Sequence, residues 1–119
     1  MKTLKVGIIS KEAYRKRVMD IATGRYTPRR GEPKVWFHSL KSLSEVLSEN
    51  NIELLRLMAE QHPESISELA ELSGRKQSNL SRTLNTMAQY GIVEMKRHNK
   101  TVQPIAKALD FNIVYQAMC

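Results

Sequence analysis

Between Lys76 and Lys100 the sequence sets out side chains suited to reading a polyanion. Lys76, Gln77, Ser78, Asn79, Ser81, Arg82 and Asn85 fall within a stretch that holds no acid. Arginine carries a rigid fork of donors that matches a guanine edge. Asn and Gln can pair two-pronged with adenine, and Ser serves base or phosphate. A second group follows, Lys96-Arg97-His98-Asn99-Lys100, suited to phosphate or the minor groove. Bond-breaking chemistry is not laid out in the same way. No Ser/His/Asp or Cys/His set is grouped, and no Gly-rich phosphate loop is present. His38, His62, His98 and Cys119 lack metal-ligand spacing, so no catalytic site, metal or cofactor is expected.

These side chains need a rigid carrier, and the surrounding pattern provides one. Leu80, Leu84 and Met87 fall on one side of a helix expected over Lys76–Tyr90, which Gly91 ends. Ser78, Arg82, Asn85 and Gln89 then fall on the opposite side. Upstream, Ser65-Ile66-Ser67-Glu68 reads as a capping box opening a short helix with Ile66, Leu69, Ala70 and Leu72 inward. Gly74 closes it, where a tight turn needs a left-handed residue. Downstream, Ile92–His98 and Thr101–Ala106 read as an antiparallel pair turning at Asn99-Lys100. Helix, turn, helix and basic-tipped hairpin together predict a winged helix-turn-helix.

The rest of the chain reads as support. Thr3–Ile9 is a predicted strand, and Ser10 caps a helix over Lys11–Thr23 with Ala13, Tyr14, Val18, Ile21 and Ala22 as its apolar positions. Arg25–Pro33 is a loop or arm, with Arg25, Arg29 and Arg30 able to reach phosphate. Lys34–His38 is a second strand, in which the neighbours Trp36 and Phe37 must face opposite sides. Helices follow over Leu40–Leu47 and, capped by Asn50, over Asn51–Gln61, stopped by Pro63. Phe111–Tyr115 is a last strand. The expected fold class is α+β, mainly α. Residues 1–38 form a strand-helix-strand extension and residues 39–119 the DNA-binding domain. Val6, Ile8, Val35, Trp36 and Phe37 are the expected contact with a second subunit or partner.

Charge supports this division. The 119 residues carry a net charge of +7, unevenly spread. Residues 1–34 hold ten basic and three acidic groups, residues 35–73 two and seven, and residues 74–100 six and one. The sign changes at Gly74, where the supporting helix gives way to the reading helix. Such a balance favours nucleic acid over membrane as partner. A single cysteine excludes an internal disulfide framework and suits a reducing cytoplasm. No run approaches the ~18 apolar residues of a membrane span, so a cytoplasmic location is expected.

From Ser39 to Tyr115 the chain resembles the small MarR-like winged-helix predicted regulators of bacteria and archaea. The likeness lies in VWFHSLKSLSEVLS, NNIELLRLMAE and SISELAELSGRKQSNLSRTLNTMAQYGIVEM. The resemblance implies DNA binding through Ser78, Asn79 and Arg82 and autoregulation. Some members look like TumA-type antitoxins encoded beside a toxin, which implies a cognate toxin as a partner. Larger MarR proteins have long flanking helices that build a dimer and a ligand pocket, and only a short N-terminal segment stands in their place here. The resulting expectation is a sequence-specific regulator, a homodimer on double-stranded DNA. The alternative is an interaction module that neutralises a partner toxin with little role for DNA.

Overall fold

The computed structural model describes residues 2–116; Cys119 lies outside them. Among the described residues the chain is α+β, with five helices and five strands. In order these are β1 (Lys2–Ile8), α1 (Lys11–Ala22), β2 (Val35–Phe37), α2 (Leu40–Val46), α3 (Glu49–Gln61), α4 (Ile66–Ser73), α5 (Gln77–Gln89), β3 (Val93–His98), β4 (Thr101–Ala106) and β5 (Ala108–Tyr115). No helix among the described residues is long and apolar enough to cross a membrane.

Contacts divide the chain into two compact units. One is Val46–Asp110 with the start of β1, and the other is Lys5–Glu45 with the chain from Phe111 onward. The contacts therefore do not draw the boundary expected at residue 38. α2 groups with Lys5–Glu45, and most of β5 returns to it, because β1 lies between β2 and β5 in one sheet.

In the unit Val46–Asp110, three helices and the β3–β4 hairpin share a core. Leu54, Leu55, Met58, Leu69, Leu80, Leu84, Met87 and Ile92 are buried there. The starts of α3 and α4 are set by serine hydroxyls. Ser65 accepts from the Glu68 N–H at 3.0 Å, while the Glu68 carboxylate accepts from the Glu64 N–H at 2.9 Å. α3 begins two residues earlier than expected because Ser48, not Asn50, is its cap. Ser48 accepts from the Asn51 N–H at 3.3 Å, and the Asn51 side-chain amide donates to the Val46 carbonyl at 3.0 Å.

In the other unit, β2 runs parallel to β1 with Gly7 opposite Trp36 and Ile8 opposite Phe37. Phe37 is buried, whereas Trp36 is half-buried and lies over Gly7. A Cβ on Gly7 would sit 2.3 Å from Trp36 Cζ3, so only glycine leaves room for the indole. The Arg17 guanidinium covers the indole, 5.1 Å from its centroid, and lies 5.4 Å from the centroid of Tyr26. Arg17 Nη2 also pairs with Glu32 Oε2 at 2.9 Å, and the Tyr26 hydroxyl donates to the other oxygen of that carboxylate. The Lys5 ammonium donates to the Gly31 carbonyl. The arm Arg25–Pro33, too polar to pack by itself, is thus held down by polar anchors.

One expectation is corrected here. Val6, Ile8 and Phe37 are at most 1% exposed, so these three side chains fill the chain's own interior and are not open to a partner. Val35 and Trp36 are half-buried. On α1, only Ala13 of the five apolar positions is buried, and Tyr14, Val18 and Ile21 stand exposed.

Candidate nucleic-acid interface

The exposed face of α5 follows from its buried one. Leu80, Leu84 and Met87 are each fully buried, which turns the helix's opposite side to solvent. Lys76, Gln77, Ser78, Asn79, Arg82 and Asn85 are exposed and Ser81 is half-buried. Arg82 makes no ion pair or side-chain hydrogen bond among the described residues. The helix start differs from those of α1, α3 and α4. Its cap is Lys76, which makes no side-chain cap hydrogen bond. The first N–H groups of α5, at the positive end of its dipole, are therefore not taken by a side chain at the cap.

The turn that aims α5 is built from two residues. Gly74 takes φ +74 and donates its N–H to the Ala70 carbonyl at 3.0 Å, ending α4. Arg75 then reaches back to α3, with Nη1 donating to Asn51 Oδ1 at 3.2 Å and Nη2 to the Asn50 carbonyl at 2.8 Å. Sequence reasoning gave Arg75 no role. Its partners lie 24 and 25 residues away, and no local pattern signals such a bond.

The hairpin supplies the second cationic element of the same unit. β3 packs against α5, and β3 pairs with β4 in register Val93↔Ala106 through His98↔Thr101. Asn99, in the turn, adopts φ +54, which Asn tolerates better than most residues. Lys96, Arg97, His98, Asn99 and Lys100 are all exposed at this end. His98 is partly engaged, with Nε2 3.1 Å from Gln103 Oε1. Glu94, the one acid between Gly74 and Lys100, faces Lys107 at 4.0 Å. A half-exposed pair at that distance contributes little to stability, but it offsets the one negative charge within this stretch of sequence.

All the residues expected on the reading helix and hairpin thus lie in one compact unit and all but Ser81 are exposed. The five expected for a subunit or partner contact lie on β1 and β2, in the other unit. No curated protein matches the chain. A family model, HVO_A0114, matches residues 46–113, from the end of α2 into β5, and covers more than half of the sequence. The protein belongs to the HVO_A0114 family.

Proposed function

We propose that this protein is a winged helix-turn-helix DNA-binding regulator that acts as a homodimer and controls its own operon. The observation that carries the reading is the exposed, acid-free face of α5, with Arg82 unpaired and Ser78, Asn79 and Asn85 beside it. A major groove about 12 Å wide admits one helix, and these side chains are the ones that read base edges there. α4 lies across the backbone in this arrangement, and the hairpin tip adds Lys96, Arg97 and Lys100 to the phosphates. One helix reads only a few base pairs, so useful specificity needs two copies on two half-sites.

The test is a binding titration of the chain with the duplex upstream of its own gene, beside the Arg82→Ala variant. Loss of a guanine contact weakens binding by roughly 1–3 kcal/mol and relaxes sequence preference at that position. A variant that binds and discriminates as the native chain does would rule out α5 as the reader.

A second reading, capture of a protein partner such as a toxin, is favoured by a separate observation. Val18, Met19 and Ile21 are 47%, 62% and 38% exposed on a single short helix. Exposed apolar side chains gathered in this way mark interaction surfaces. The two readings use different residues and are compatible.

A further inference from the structure

We infer that the cleft between α1 and the arm at residues 28–34 is a docking groove for a partner protein that presents an acidic amphipathic helix. The inference builds on the second reading above and names its surface and chemistry. The cleft measures about 530 Å³ and lies wholly within the unit Lys5–Glu45. Tyr14, Val18 and Ile21 form its apolar side, spaced four and three residues apart and 36%, 47% and 38% exposed. This spacing is one helical stripe, the surface that a second helix covers with its own apolar anchors.

The opposite wall is fixed in advance. Glu32 is held by Arg17 and Tyr26, and the Gly31 carbonyl by Lys5. A wall ordered before binding lowers the entropic cost of docking. The rim sets the sign of the partner. Arg29, Arg30 and Lys34 line the cleft, are exposed, and make no ion pair among the described residues. The only acid in the lining is Glu32, already engaged by Arg17. A cationic rim around an apolar floor is complemented by carboxylates flanking an apolar face.

The same charge argues against a second copy as occupant. A two-fold contact sets a patch against itself, which would bring Arg29, Arg30 and Lys34 against their own counterparts. Nucleic acid would answer the rim but leave the stripe of Tyr14, Val18 and Ile21 uncovered.

Trp36 lines the cleft and is the chain's only tryptophan, so its emission reports occupancy directly. The experiment titrates the full chain with a synthetic amphipathic helix of Leu and Glu, and with the same peptide carrying Lys in place of Glu. The Leu/Glu peptide is expected to shift Trp36 emission saturably, and the Leu/Lys peptide to bind at least about tenfold more weakly. Val18→Glu and the double variant Arg29→Ala/Arg30→Ala, all at exposed positions, are each expected to weaken the Leu/Glu peptide by a similar factor. Arg82→Ala, which disables the DNA reading, should leave peptide binding unchanged, so the two readings fail separately. Any of four results would overturn the proposal: no saturable shift, equal binding of the two peptides, variants that bind as the native chain does, or a single-stranded oligonucleotide that shifts Trp36 as tightly as the Leu/Glu peptide.

Discussion

At Gly7 the missing side chain is what the structure uses. Its neighbour across the sheet, Trp36, lies so close that an added Cβ would overlap the ring at 2.3 Å. Gly7→Ala must therefore push the indole away from its place beneath Arg17. Overpacking of this kind costs roughly 1–3 kcal/mol, to be read as a lower urea midpoint with a shifted Trp36 emission. Unchanged stability would mean that the ring moves without resistance. Glu32 is the other single residue on which its surroundings depend, since it receives both Arg17 and Tyr26. Glu32→Gln removes the charge from a pair that is about one-fifth exposed on each side. The expected cost is on the order of 1 kcal/mol, with faster amide hydrogen exchange across residues 25–33. Arg82 differs from both: it is exposed and unpaired, so Arg82→Ala should leave the urea midpoint within ~0.5 kcal/mol of the native chain while weakening DNA binding.

The elements divide by whether their signals are local. α4, α5 and the β3–β4 hairpin are legible because all their boundaries but the start of α5 are marked by short-range devices: the Ser65 hydroxyl, the left-handed Gly74, Gly91 and Asn99. The apolar period of α5 likewise gave its buried side chains one by one. Ser65→Ala should then cost α4 about 1 kcal/mol, measurable by denaturant titration, and no loss would show that water replaces the cap. The start of α3 was misplaced because Ser48 and Asn50 are both competent caps, and a bond from Asn51 to Val46 accompanies the earlier start. α1 shows a limit of the same kind of signal. Periodicity identifies an apolar stripe at Tyr14, Val18 and Ile21 but not what covers it, and only Ala13 is buried. Alternation on β1 and β2 has the same limit. It separates the two faces of a strand without saying which is interior, and Val6, Ile8 and Phe37 are buried. The anchors of the arm were invisible because Arg17 and Glu32 are 15 residues apart, with no repeat to link them.

For the whole molecule, the uneven charge is the main physical fact. Residues 1–34 and 74–100 are basic and residues 35–73 acidic, so within the unit Val46–Asp110 an approaching polyanion is drawn toward the α5 and hairpin stretch and away from the helices before it. The organisation also limits how function can be dissected. Removing residues 1–34 would take away β1, the strand between β2 and β5, so point variants separate the two proposed functions better than truncation. The most direct measurement is the anisotropy of a labelled duplex from upstream of the gene, titrated with the full chain at about 50 and about 200 mM salt and compared with a shuffled duplex. If Lys96, Arg97 and Lys100 each neutralise one phosphate, affinity falls roughly fortyfold between those salts, and the upstream duplex binds more tightly than the shuffled one at both. Equal affinity for the two duplexes, or affinity that does not change with salt, would contradict DNA reading by α5.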